Sequence, residues 1–233
     1  MKKNIFLVFV GLFCIFCHPI WAATQKNNQA AVPFSQLHAS QCQKTNWASE
    51  VKPVIVLDAG HGGADEGAKV QGVLEKRITL TTTLMTKQYL EEMGYLVYLT
   101  RKKDIFVSLS KRAAQANNMD ASLFVSIHYN ASQNKMAKGL EVFYPDAKEL
   151  WRSHASKRLA RCILQKLIHQ TSASSRGIKK GNFHVIRETQ MPAVLIEGGF
   201  VTNNEERLLL KNKEYLSRIA KGIAEGIHKY LGA

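Results

Sequence analysis

The chain lacks most of the features that would assign it to a simple class. It has no internal repeat, no low-complexity tract and no nucleic-acid motif, and its one purely apolar stretch, Ile5 to Phe16, is too short for a comfortable membrane span. Cysteine is scarce at four residues; Cys14 falls within that N-terminal stretch and Cys17 directly after it. The two that remain, Cys42 in a polar segment and Cys162 in a helical run, have no Cys-x-x-Cys partner, which argues against a cysteine metal site. No disulfide between them is expected. Acidic residues are also short, 18 against 32 basic.

The N-terminus reads as an export leader. Lys2 and Lys3 precede the apolar stretch, which ends near Trp21-Ala22-Ala23, so residues 1–23 are expected to be a cleaved signal peptide that directs the protein to the periplasm or cell envelope. Neither Cys14 nor Cys17 follows the small residues of a lipoprotein cleavage site. Without Lys2 and Lys3 the mature chain has 30 basic and 18 acidic residues, a charge of +12. That surface favours polyanions, and for an exported chain without nucleic-acid motifs an anionic wall polymer is the expected partner rather than nucleic acid. Residues 24–52 are polar, rich in Gln, Asn and Ser, and read as a linker. Residues 53–233 are long enough for one domain with a substantial core.

Within that domain, strand-like runs alternate with amphipathic helical patterns, which predicts an α/β fold with a twisted, mostly parallel sheet and helices on both faces. Helices are expected over Thr79 to Met93, Ser108 to Asn118, Glu149 to His169 and within Glu205 to Leu231. Strands are expected over Tyr95 to Thr100, Leu140 to Tyr144, Phe183 to Ile186 and Ala193 to Ile196.

Three apolar runs, far apart in sequence, each end in a side chain that can bind metal. Pro53 to Leu57 leads through Asp58-Ala59-Gly60 to His61, Leu123 to Ile127 leads to His128, and Ala193 to Ile196 leads to Glu197. Such runs suit strands buried on both faces, and ligands bind outside the carboxyl ends of strands in open α/β sheets. Gly60 and Gly62 allow a tight turn around His61. Glu75, at the expected start of a helix, is a fourth candidate. With His61 and His128 it completes a two-His, one-carboxylate zinc set, and Glu197 is left to act as a general base. On residue type alone, a capping carboxylate is an equal reading of Glu75. Asp58 and Asn130 are expected to support the ligands rather than to bind metal. Histidines 154, 169, 184 and 228 lack a comparable strand-end setting and are read as structural.

In order along the chain, DAGHGGADEGA, VLEKRITL, TRKKD, LSKRAAQAN, SIHYNAS, GLEVF and VLIEGGFVTNNEE resemble the zinc-dependent N-acetylmuramoyl-L-alanine amidases of the amidase-3 type, over about residues 53 to 231. The resemblance implies a peptidoglycan hydrolase that cuts the amide between N-acetylmuramic acid and the L-alanine of the stem peptide. It places zinc on His61, Glu75 and His128 and the catalytic glutamate at Glu197, all four unsubstituted. Arg77 departs from the pattern, since the family more often has an acidic residue there. Some division-associated relatives carry an extra inhibitory helix where this chain, between Pro145 and Arg176, has room for one helix only, and a protein activator is a further partner that the resemblance raises. The alternative chemistry is a serine D,D-carboxypeptidase or other stem-peptide peptidase. Ser108-x-x-Lys111 and Ser132-x-Asn134 imitate two elements of a penicillin-binding enzyme, and Lys179-Lys180-Gly181 loosely imitates the third.

Overall fold

The computed structural model describes residues 52–232, so the leader, most of the polar linker and Cys42 lie outside the described residues. Six strands form one sheet in the order β4-β1-β5-β8-β6-β7. They are β1 (Val54–Ala59), β4 (Leu96–Leu99), β5 (Leu123–Asn130), β6 (Leu140–Tyr144), β7 (Ser175–Lys180) and β8 (Ala193–Phe200). All neighbours run parallel except β6 and β8, which are antiparallel. A two-stranded ribbon of β2 (Lys69–Val70) and β3 (Val73–Leu74) stands apart from the sheet. Among the described residues there are six helices: α1 (Glu75–Glu92), α2 (Leu109–Asn118), α3 (Leu150–Thr171), α4 (His184–Arg187), α5 (Asn204–Leu210) and α6 (Lys213–Leu231).

The alternation of side chains along each strand divides the core between the two faces. Ile55, Leu57, Val125, Ile127, Val142, Val194 and Ile196 pack on one face with α1, α3 and α6. Val56, Phe124, Ala193 and Leu195 point the other way, onto Ala116 of α2 and Val185 and Ile186 of α4. Both faces are covered, which is why β1, β5 and β8 read as continuous apolar runs.

The longest cover is the pair α3 and α6. Helix α6 begins at Asn212, whose side chain accepts from Glu214 N–H, and buries Leu216, Ile219, Ile223 and Ile227 at three- and four-residue spacing. Gly226 lets the two helices approach: a Cβ there would stand 2.4 Å from Ile163 Cα, so Gly226→Ala would have to push the helices apart.

Two elements differ from the sequence reading. Phe183 to Ile186 is not a strand; His184–Arg187 is the single helical turn α4, and it covers the second face of the sheet through Val185 and Ile186. An apolar run of four residues does not by itself distinguish the two forms. The edge strand β7, polar and without alternation, was not foreseen. Only α3 occupies the stretch between Pro145 and Arg176 before β7 begins, in line with the expectation of one helix there. Cys162, half-buried on α3, has no disulfide partner among the described residues. No helix among the described residues is long and apolar enough to cross a membrane.

Candidate active site

The strand alternation that builds the second face also carries a polar row across its active end. Asp58 of β1 is in register with Ser126 of β5, and His128 of β5 with Glu197 of β8, which is in turn in register with Glu141 of β6. All lie on the face of Val56, Phe124 and Leu195: Asp58, Ser126 and Glu197 two residues further along their strands, His128 four residues after Phe124, and Glu141 two residues before Phe143.

His61 joins this row from a turn. It has φ 60°, in the left-handed region that a non-glycine residue occupies at a cost, so the tight turn is made by the histidine itself. Two buried arginines hold it there. Arg112 donates to the carbonyls of Ala59 at 2.6 Å and His61 at 2.7 Å, and Arg101 donates to those of Ala59 at 2.9 Å and Gly60 at 2.8 Å. Gly60 is glycine because a Cβ would stand 2.3 Å from the His128 ring.

Glu75 is the first residue of α1, delivered by the β2–β3 ribbon. It is buried, and its Oε2 accepts from Ala68 N–H at 2.9 Å while Oε1 accepts from Tyr129 N–H at 3.1 Å. The same Oε1 lies 3.0 Å from His61 Nε2 and 3.1 Å from His128 Nδ1. His61 Nδ1 faces Asp65, 2.9 Å from both carboxylate oxygens, which fixes the ring so that Nε2 points at Glu75. Burial alone would raise the Glu75 pKa, but the hydrogen bonds and charges of His128 and His61 outweigh it and hold the carboxylate well below its usual range. For His61, burial works against the charged form, while the Glu75 and Asp65 carboxylates reverse this and raise its pKa.

These three side chains offer ligand atoms that all lie within 4.8 Å of one another. The donor set fits a metal ion: ligands at about 2.0–2.1 Å from a tetrahedral centre stand about 3.3 Å apart, close to the spacings from Glu75 to the two rings. A cleft of roughly 520 Å³ opens over them, lined also by Gly67, Asn130, Phe183 and Glu197.

Glu197 is the one carboxylate in the row without support. Its Oε2 is buried and has no hydrogen-bond partner among the described residues. Burial pushes its pKa well above the ordinary carboxylate range, with the Glu75 and Glu141 charges adding to the shift. Such a group tends to hold a proton where a typical carboxyl would not.

Asp58 touches none of the three donors. It is buried beneath them, accepting from Thr100 Oγ1 at 2.6 Å, Ser126 Oγ at 2.7 Å and Arg112 at 2.7 Å, and so it acts through Arg112 on the His61 turn. Asn130 donates to Glu141 Oε1 at 2.7 Å. Glu141 faces the site side and is buried. Asp65, Arg101 and Arg112 were missed as supports of the site, although each lies inside a quoted motif. Arg77 is exposed on α1, away from the donors. His228 bonds the Tyr95 hydroxyl at 2.8 Å and His184 lies 3.1 Å from Ser110 Oγ; with His154 and His169 they stand outside the donor cluster. The serine elements have local roles. Ser108 caps α2, Ser132 Oγ accepts from Asn134 N–H, and Lys179 pairs with Glu141.

Comparison with known proteins agrees with this geometry. Residues 55–229 match the Amidase_3 family, described as N-acetylmuramoyl-L-alanine amidase. The chain is 36% identical over 180 residues to the N-acetylmuramoyl-L-alanine amidase LytC of Bacillus subtilis, a match that takes in 77% of this chain but 36% of that relative. The catalytic domain of CwlV, an amidase from Bacillus (Paenibacillus) polymyxa, superposes with a TM-score of 0.72 at 40% identity, covering 77% of this chain and 98% of that one. The CwlD amidase of Clostridioides difficile, solved in complex with the GerS lipoprotein, matches with a TM-score of 0.72 at 35% identity, over 77% and 98% of the two chains. The family match over three-quarters of the sequence and the site beneath it lead to one conclusion: the chain belongs to the N-acetylmuramoyl-L-alanine amidase family, of the amidase-3 type, and is an enzyme of that class.

Proposed function

We propose that the protein is a zinc-dependent peptidoglycan hydrolase that cleaves the amide between N-acetylmuramic acid and the L-alanine of the stem peptide. The observation that carries this reading is the pairing, in one cleft, of three converging donors with a buried carboxyl whose Oε2 has no partner. His61 through Nε2, Glu75 through Oε1 and His128 through Nδ1 would hold the ion. When bound, zinc polarises the scissile carbonyl and lowers the pKa of a water to roughly 7.

The chain's own groups move the proton. Glu197 takes it from the attacking water as the oxygen bonds to the carbonyl carbon. The raised proton affinity of its buried carboxyl suits it to keep that proton until the C–N bond breaks, and it then delivers the proton to the leaving amine. The products are the muramyl carboxylate and a stem peptide with a free amino group. Asp65 keeps the His61 tautomer that leaves Nε2 without a proton.

The proposed setting is the periplasm or cell envelope, reached through cleavage of the leader at residues 1–23 and consistent with the basic mature chain. A protein activator fits the same picture, since the similar CwlD is known in complex with a lipoprotein. The test is to incubate the purified mature protein with murein, with and without chelator and then with zinc restored, and to weigh the products. Intact free stem peptides that vanish with chelation and return with zinc support the reading; shortened peptides still attached to muramic acid would overturn it.

A further inference from the structure

The cleft has two unlike flanks. Beyond Glu197 lie β6 and the edge strand β7. Glu141 of β6 is 3% exposed, and its Oε2 accepts from two cations of β7, Arg176 Nε at 3.0 Å and Lys179 Nζ at 2.5 Å. Glu197 takes no hydrogen bond from either on its buried Oε2. The neighbouring cations are balanced one to one, Lys138 by Glu205 and Lys180 by Asp146. At Glu141, therefore, two positive groups meet one carboxylate. Both reach solvent, with side chains 36% and 41% exposed, and Phe143 beside Lys179 stacks on Phe183 of the cleft wall.

On the other side of His61 and His128 a second hollow of about 400 Å³ is lined by Phe106, Val107 and Leu109, and by the Asp65 carboxylate. The one cation there, Arg112, is buried and matched to Asp58. An anionic group is thus favoured on the β6–β7 flank and disfavoured on the Asp65 flank.

The direction of the substrate follows from the proton. If Glu197 protonates the leaving nitrogen, as the proposed amidase reading on which this rests requires, the departing peptide lies on the Glu197 side and the acyl and sugar part over the apolar hollow. Two strand spacings, about 10 Å, separate β8 from β7, a span that three extended residues cover. We infer that Arg176 and Lys179 form a subsite for a free carboxylate carried by one of the first three residues of the leaving peptide, so that the enzyme selects stem peptides with an acidic second residue over their amidated forms.

The experiment compares murein whose second stem residue has a free α-carboxyl with murein in which that carboxyl is amidated, scoring released stem peptides by mass. Wild type is expected to release the free-acid stem about tenfold faster at low substrate, the size of one charge-assisted hydrogen bond at a part-exposed site. Lys179→Met and Arg176→Met should each lower that ratio with the amidated substrate little changed, and Lys179→Arg should restore it. Equal rates on both substrates in wild type, or a ratio that neither single variant moves, overturns the subsite. Release of intact stem peptides from either form keeps the amidase reading standing by itself, whereas no release from either would remove that reading and the subsite together.

Discussion

Asp58 and Glu197 make an instructive pair. Both follow an apolar run and both face the same side of the sheet; Asp58 is buried, and Glu197 is half-buried with its Oε2 shut off from water. At the end of β1, Asp58 is supplied with Thr100, Ser126 and Arg112. Burial would raise its pKa, yet the Arg112 charge and these hydrogen bonds hold it below the usual carboxylate value. Within β8, Glu197 has an oxygen with no partner among the described residues, and burial drives its pKa upward. A buried polar group left unmatched costs stability, so a fold keeps one where chemistry needs it. The satisfied carboxylate is part of the framework; the unsatisfied one faces the cleft, where the proposed mechanism uses it.

The comparison breaks most sharply at Asp58. Asp58→Ala leaves Arg112 buried without its counter-charge and should cost about 3–5 kcal/mol of stability, read as a lowered denaturant midpoint. Glu197→Ala should cost far less, because no partner is lost. A smaller effect is expected at Asp65, whose removal frees the His61 ring to turn: Asp65→Ala should weaken zinc affinity by about 10- to 100-fold in a competition titration, with the unfolding midpoint of the metal-free protein little changed.

The two carboxylates should also bend the pH profile in opposite directions. Asp58, lowered in the folded state, contributes stability above its ordinary pKa of 3.8 that is lost as pH falls through the folded value. Glu197, raised in the folded state, contributes stability below its ordinary pKa of 4.5 that is lost as pH rises toward the folded value. In thermal unfolding of the metal-free protein, Glu197→Gln should therefore gain on wild type as pH rises from about 4.5. Smallest of all, Ser126→Ala removes one of three hydrogen bonds to Asp58 and should cost about 1 kcal/mol, a value that sharpens how much of the Asp58 support is shared.

Much of this contrast was legible in the sequence, and the reason is local. A continuous apolar run locates a strand, and β1, β5 and β8 were found that way, but β5 and β8 run on past His128 and Glu197 to Asn130 and Phe200, so the expected strand ends there are corrected; Glu75 was placed at a helix start, which it is. The unforeseen parts depend on contacts between distant segments. Nothing near Arg112 in sequence says that it reaches the His61 carbonyl 51 positions away, or that Arg101 reaches Gly60 from 41. Glu141 alternates correctly with Leu140 and Val142, but which face is covered depends on α4, three of whose four residues were read as part of a strand. β7 was hidden for a related reason: its Arg and Lys side chains answer a carboxylate on the next strand rather than a pattern within their own.

The account turns on Glu197 as the proton carrier of a metal site that does not need it for folding or for metal. Glu197→Gln should be purified with zinc bound as in wild type and assayed for release of intact stem peptides from murein. The account predicts a full complement of zinc, normal folding and a turnover reduced by about 10²- to 10⁴-fold. Turnover within a few-fold of wild type, with zinc retained, would contradict it.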